Sequence, residues 1–135
     1  MAQENVEIVR AANDAWNRGD WDEALKHATP DVVLDNSRSV GEWRGVHHGP
    51  NQVKHAFQML TEAWQSVQIE IIEFIEADEG VLVTRQRSRF VGRDGMELPG
   101  PTRSGWLWKL RAGKIVYVAV YNDLNDALEA AGLSE

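Results

Sequence analysis

The residues best suited to do chemistry are Asp35 and Asn36, which end the apolar stretch Val32–Leu34. Side chains alternate along a strand, so only one of the two can point into an interior cavity, although a β-bulge could turn Asp35 inward. An inward Asp35 would lose water, and the resulting rise in its pKa would make it a base near neutral pH. The alternative places Asp35 outward at the strand end and Asn36 in the turn.

A second candidate for proton transfer lies in the neighbouring pair His47–His48, because histidine titrates near neutral pH. We predict that His48 acts beside Asp35. Adjacent histidines do not converge on one metal as a helical i, i+4 pair does, and neither His27 nor His55 has ligand spacing with them. The chain also has no cysteine. The sequence therefore predicts no metal site and no cofactor.

Six tryptophans in 135 residues indicate an aromatic pocket as well as a core. Amides near the same strands could supply polar contacts to a flat organic ligand. The predicted substrate-binding residues are Trp16, Asn36, Trp43, Gln86, Trp106, Trp108 and Asn122. Core filling remains the alternative for each ring.

Arg85, Arg87 and Arg89 share one face of a predicted strand. Three inward arginines would form an anion site, but burying three cations without partners is very costly. We therefore predict an outward row. That orientation points three polar side chains inward: Thr84, Gln86 and Ser88.

These residues must be positioned by helices early in the chain and strands late in it. Helical spacing of apolar residues predicts helices over 5–18, 21–28, 50–65 and 124–131. The first helix would carry Asn13 opposite its apolar stripe. Alternating patterns predict strands over 31–36, 67–77, 80–92, 102–113 and 114–123. This order favours the α+β class, with a curved antiparallel sheet wrapped around the N-terminal helices.

Length and charge narrow the functional classes. The 135 residues suit one domain, over 1–135. A net charge of −7 without a basic cluster disfavours nucleic-acid binding, and no apolar run reaches the length of a membrane span. The first ten residues lack the pattern of a signal peptide, and the lack of cysteine suits the cytoplasm.

Four segments carry a family resemblance: NRGDWDEALKHATPDVVL, RGVHHGPNQV, KLRAGKIVYVAVYND and ALEAAGL. Together they resemble the SnoaL-like polyketide cyclase family, which has the nuclear transport factor 2-like (cystatin-like) fold shared with ketosteroid isomerases. The resemblance implies a cone-shaped sheet with an interior cavity for a small hydrophobic molecule. It also implies a homodimer formed through the outer sheet face.

The resemblance allows the catalytic residues of other enzymes with this fold to be compared with the corresponding residues of this chain. The catalytic Asp of the isomerases corresponds to Asn36, with Asp35 one residue short. Their oxyanion-hole Tyr and protonated Asp correspond to Ala12 and about Trp106, neither of which can donate an acidic hydrogen bond. This excludes a ketosteroid isomerase, and the arginine strand lacks the carboxylates that an epoxide hydrolase needs.

Three hypotheses remain open. In the first, the protein is a cyclase- or isomerase-type enzyme in which Asp35 moves a proton on a polyketide- or carbonyl-type substrate. In the second, it is a non-catalytic homodimeric module that binds a hydrophobic metabolite. In the third, it is a protein-interaction domain whose cavity is filled.

Overall fold

The computed structural model describes residues 2–38, 43–99 and 104–133 as four helices and seven strands. The helices are α1 (Ala2–Asn17), α2 (Trp21–Leu25), α3 (Gly49–Ala63) and α4 (Leu124–Ala130). The strands are β1 (Ala28–Asp35), β2 (Val46–His48), β3 (Ser66–Asp78), β4 (Val81–Val91), β5 (Glu97–Pro99), β6 (Ser104–Arg111) and β7 (Lys114–Tyr121). The predicted α+β class is confirmed, while the three-residue strands β2 and β5 were not predicted.

The strands form one open, curved sheet in the order β2-β1-β7-β6-β4-β3, with β5 attached to β4. Strands β3, β4, β6 and β7 are antiparallel neighbours, as expected for a meander. Strand β1 instead runs parallel to β7, with Leu34 beside Val118. This pairing places β1 between β7 and the short edge strand β2.

The sheet has an inner face, covered by α1 and α3, and an outer face, on which α4 packs. The inner cluster of buried residues includes Val9, Trp16, Leu34, Phe57, Leu60, Trp106 and Trp108. A smaller outer cluster consists of Val83, Leu107, Ala119, Tyr121, Ala127 and Leu128. The two sets alternate along β6 and β7, because successive side chains of a strand point to opposite faces.

A β-bulge in β7 changes which residues reach the inner face. Lys109 lies opposite Tyr117 and Leu110 lies opposite Ile115, so Val116 is the extra residue. Ile115 consequently joins Val118 on the inner face. Strict alternation from Val118 would instead place Val116 there.

Helix α1 is held to the edge strand β3 by two asparagines. The Asn17 side chain accepts a hydrogen bond from the Ile69 N–H (2.9 Å) and donates one to the Ile69 carbonyl (2.8 Å). Asn13 donates to the same carbonyl at 3.0 Å. These bonds replace a neighbouring strand at that point and fix the register of α1.

None of the helices in the described ranges is long and apolar enough to cross a membrane.

Candidate functional site

A small apolar cavity lies between α1, α2, α3 and the inner face of the sheet. Its volume is about 60 Å³. It is lined by Ala12, Asn13, Trp16, Ala24, Leu25, Ala28, Val32, Leu34, Val53, Phe57, Trp106, Trp108, Ile115 and Val118. Trp16 and Phe57 meet edge to face with ring centroids 5.6 Å apart, and Trp106 and Trp108 lie 5.7 Å apart. The rings give the cavity flat, apolar walls.

The size of this cavity limits what it can hold. About 60 Å³ is the liquid volume of roughly two water molecules, whereas pockets for small molecules have roughly 300–1,000 Å³. A larger ligand must displace wall side chains or extend beyond the cavity.

A larger groove adjoins the cavity and shares Asn13 with it. The groove has a volume of about 610 Å³ and lies along α1, β3, β4 and β5. Its charges are paired: Arg87 lies 3.0 Å from Glu70, and Arg89 lies 2.7 Å from Glu97. The groove is therefore polar, but these two ion pairs favour neither sign of charge.

A chain of hydrogen bonds runs along the inner face beside the tryptophans. Trp108 Nε1 donates to Thr84 Oγ1 at 2.9 Å, and Thr84 Oγ1 donates to Gln86 Oε1 at 2.6 Å. Thr84 and Gln86 are both fully buried. The sequence prediction of polar side chains on this strand face agrees with their position in the structure.

Asn36 is fully buried and points to the inner face, two residues beyond Leu34. Its backbone N–H donates to the Gly45 carbonyl (3.0 Å), and its Oδ1 accepts from the Gly45 N–H (2.7 Å). These bonds join the ends of the segment between β1 and β2. Asn36 Nδ2 has no hydrogen-bond partner among the described residues, and the same holds for Trp16 Nε1 and Gln86 Nε2.

Asp35 takes the outward one of its two expected orientations, because Val32 and Leu34 occupy the inward positions of β1. The Asp35 carboxylate accepts from the Ser37 N–H (3.1 Å) and hydroxyl (2.7 Å) and lies 3.6 Å from Arg38. Burial acts to raise its pKa, but the hydrogen bonds from Ser37 and the charge of Arg38 outweigh burial and hold the pKa below its ordinary value.

Tyr117 lies beside Asp35 on the outer face, with its hydroxyl 3.5 Å from Asp35 Oδ2. Burial, followed by the nearby Asp35 charge, raises the pKa of Tyr117. Both shifts make proton transfer by this pair near neutral pH unfavourable, since the acid stays ionised and the phenol stays protonated.

The structure also places His48 away from the cavity. His48 is exposed and lies opposite Val33, an outward residue of β1, while its backbone N–H donates to Gln52 Oε1 at 2.8 Å. His47 lies opposite the inward Leu34, and its Nε2 is 2.7 Å from the Trp43 carbonyl. The sequence predicted no strand here, and the pairing of β2 with β1 places His47, rather than His48, opposite an inward residue.

Two other predicted ligand contacts lie outside the cavity wall. Asn122 is exposed beyond the end of β7, and its Nδ2 donates to the Arg38 carbonyl at 2.9 Å. Trp43 is half-buried and packs against the inner cluster without lining the cavity. Asn122 follows a strand and Trp43 precedes one, and outside a strand the alternation that predicts side-chain direction no longer applies.

Sequence reasoning missed Asn13 and Phe57 as cavity residues. Asn13 was assigned to the polar side of α1, yet it is buried between the cavity and β3. The signal for Asn13 was its four-residue spacing from Asn17, which places two amides on one side of a helix. Phe57 had the spacing of a core residue, which does not distinguish a cavity wall from solid packing.

Among the described residues, no group of three His, Asp or Glu side chains could hold a metal ion.

Comparison with known proteins agrees with this architecture. The family model of the SnoaL-like domain matches residues 9–118. Comparison with curated proteins found no match.

Among solved structures, an NTF2-like protein of unknown function from Burkholderia pseudomallei is 20% identical, with a TM-score of 0.78 over 93% of this chain and 95% of that chain. TerC co-crystallised with polyporic acid is 18% identical, with a TM-score of 0.79 over 96% and 98% of the two chains.

A third similar structure is a protein from Catenulispora acidiphila with a ketosteroid isomerase-like fold, in complex with trimethylamine. It is 16% identical, with a TM-score of 0.74 over 94% of this chain and 93% of that chain. At such identities, the likeness shows the fold alone.

Proposed function

Because the chain belongs to the SnoaL-like domain family, we propose that it binds a small, largely apolar molecule with a flat ring in the inner cavity. The observation that carries the proposal is the enclosure of this cavity by Trp16, Phe57, Trp106 and Trp108. Flat rings stack favourably on aromatic side chains, and an apolar ligand gains the free energy of leaving water.

The neighbouring groove supplies room for the rest of the ligand. One ring of the ligand enters the cavity by displacing wall side chains, and the rest of the molecule passes Asn13 into the groove, where its polar atoms meet water and polar side chains. The paired charges of Arg87 and Arg89 support a neutral polar group at this end rather than an anion. The co-crystallisation of TerC with polyporic acid and the complex of the Catenulispora protein with trimethylamine support small organic ligands on this fold.

Binding fits the site better than proton transfer. The described residues that line the cavity include no side chain that ionises, and the two predicted catalytic residues, Asp35 and His48, lie elsewhere. The enzyme hypothesis would therefore need a proton acceptor supplied by the ligand or by water held at Asn36.

The proposal extends to a cytoplasmic homodimer paired through the outer face of the sheet. Helix α4 covers only part of this face, and Val33 and Tyr117 stay half-exposed beside it. The lack of cysteine suits a reducing compartment. Light scattering on a size-exclusion column tests the dimer: a monomeric mass at micromolar concentration would contradict it.

The binding proposal is tested with indane, a flat bicyclic hydrocarbon, by calorimetry and by ligand-detected NMR. Ala12 lines the cavity, and the three extra carbon atoms of Ala12→Leu add a volume similar to that of the cavity. We expect indane to bind the wild type and to lose binding in Ala12→Leu. Ala11→Leu is the matched control, since its half-exposed site on the same helix does not line the cavity. Equal binding by both variants would contradict the proposed site.

A further inference from the structure

The edge strand β3 leaves one backbone position open beside the groove. An edge strand presents N–H and C=O groups that no neighbouring strand pairs. At Ile69 the helix α1 satisfies these groups, because Asn17 accepts from the N–H and donates to the carbonyl, and Asn13 donates to the same carbonyl. Among the described residues, no side chain or loop bonds to the N–H or carbonyl of Ile71, two residues further along.

The N–H and carbonyl of Ile71 point away from β4. Ile71 lies opposite Gln86, whose carbonyl accepts from the Ser104 hydroxyl of β6 at 3.1 Å and is therefore directed at β6 rather than at β3. In an antiparallel pair, two residues opposite each other exchange both of their backbone bonds or neither. Both groups of Ile71 therefore leave the sheet at its free edge, as those of Ile69 do.

The groove lies at this edge and has the size and charge of a site for a neutral molecule. Ile71 is half-buried and lines the groove together with Arg10 and Asp14 of α1. The volume of about 610 Å³ is within the range of pockets for small molecules, roughly 300–1,000 Å³. The described residues that line the groove include three arginines and three acidic residues, so their charges balance. A neutral ligand with both a hydrogen-bond donor and an acceptor complements the free backbone groups of Ile71.

We propose that the groove binds an N-acylated amino-acid amide, in which the N–H of the amino-acid residue donates to the Ile71 carbonyl and its C=O accepts from the Ile71 N–H. The ligand thereby adds a strand of one residue to β3, in the way that exposed sheet edges bind peptides. This site goes beyond the proposed function, because the groove binds such a residue whether or not a ring enters the cavity.

Two features limit the paired segment to a single residue. Asn13 and Asn17 already occupy the edge at Ile69, and the β-bulge at Ile72 interrupts the regular pairing on the other side. Paired residues also project their side chains to the same face of a sheet. Because Ile71 packs against the inner cluster, the side chain of the bound residue lies on that apolar side, which favours an apolar residue.

The pairing is tested with N-acetyl-leucine N-methylamide in NMR titrations of the isotope-labelled protein. The comparison compound is O-acetyl-leucic acid N-methylamide, in which an ester oxygen replaces the N–H of the leucine. We expect the amide to shift the Ile71 N–H signal and to bind roughly fivefold more tightly than the ester, the value of one net hydrogen bond. Equal binding of the two compounds, or binding that leaves the Ile71 signal unchanged, would overturn the proposal.

Substitutions of Ile71 test the donor that the protein supplies. Ile71→Pro removes the N–H that points out of the sheet and keeps the bonds of β3 to β4, since edge strands accept proline at such positions. We expect this variant to bind N-acetyl-leucine N-methylamide roughly fivefold more weakly than Ile71→Ala does. Ile71→Ala is the matched control, because it shortens the side chain but keeps the N–H. Equal affinities of the two variants would overturn the role of the Ile71 backbone.

Indane distinguishes this proposal from the proposed function. Ile71 does not line the cavity, so we expect both Ile71 variants to bind indane as the wild type does. Binding of indane without binding of N-acetyl-leucine N-methylamide would overturn the groove site and leave the cavity proposal standing, and the reverse result would overturn the cavity proposal alone. A dispersed amide spectrum verifies that each variant is folded. If Ile71→Pro does not fold, the comparison of amide and ester on the wild type decides.

Discussion

The inner and outer faces of the same sheet treat their polar side chains in opposite ways. On β4, Thr84 and Gln86 point inward, are fully buried and bond to each other, whereas Arg85 and Arg87 point outward and pair with Glu73 and Glu70 in water. Water can replace a broken bond on the outer face but not on the inner one. Polar groups of the inner face are therefore costly unless a partner is supplied. Polar groups of the outer face can exchange a protein partner for water at little cost.

The largest expected contrast lies between two neighbours on β1. Leu34 is buried in the inner cluster, so Leu34→Ala removes apolar contacts and leaves a hole, and we expect a loss of about 2–5 kcal/mol in the free energy of unfolding. Asp35→Ala on the outer face should cost about 1–2 kcal/mol. Urea unfolding of both variants measures the difference, and equal losses would contradict the assignment of the two faces.

The next prediction concerns the cover of the outer face. A Cβ atom at Gly105 of β6 would lie 3.0 Å from Leu124 and 3.1 Å from Ala127 of α4. Gly105→Ala should push α4 away from the sheet and cost about 1–3 kcal/mol. Hydrogen exchange should accelerate in α4, while exchange in α1 on the inner face stays unchanged. Unaltered exchange in α4 would show that the helix is not packed against Gly105.

The outer face should also respond to pH through Asp35. Its pKa in the folded protein is held below its ordinary value, so the stabilisation by Asp35 is complete above that value of about 3.8 and is lost as the pH falls through the lower folded pKa. We expect Asp35→Asn to be about 1 kcal/mol less stable than the wild type at pH 7. The difference should shrink below pH of about 4 in urea melts, and a constant difference down to acid pH would contradict it.

The smallest effect is expected for the exposed ion pair between Arg87 and Glu70. Arg87→Gln should change the free energy of unfolding by less than about 1 kcal/mol, and the change should fall in high salt. Unfolding at low and at high salt measures this effect. Thr84→Val on the inner face of the same strand is the comparison, and a larger loss in Arg87→Gln would reverse the contrast between the faces.

Local patterns predicted most of the fold. Helical spacing identified α1 and α3, and Trp106 and Trp108, both predicted to bind the substrate, lie on the face that forms the inner cluster. Local patterns did not predict the three-residue strands or the bulge at Val116, because their positions depend on pairing with distant segments. The parallel pairing of β1 with β7 joins segments more than eighty residues apart, a relation that no local period contains.

The candidate site was harder to predict than the fold. Trp16 lies on a helix whose apolar stripe the pattern determines, and the structure brings it to the inner side. His48 and Asn122 lie at the ends of strands, where one residue of shift reverses a side chain. The sequence allowed an inward or an outward Asp35 side chain. The packing of Val32 and Leu34 on the inner face makes it point outward.

By itself, the sequence determined which side chains are apolar, which segments can form helices or strands, and which family the chain resembles. These properties depend on neighbours along the chain and on the twofold and 3.6-fold periods of the backbone. Only the tertiary structure decided that the cavity is small, that Asp35 faces away from it, and that Thr84 bonds to the Gln86 amide. Volumes and hydrogen-bond partners arise between segments far apart in sequence, so they exist only once the sheet has assembled around its helices.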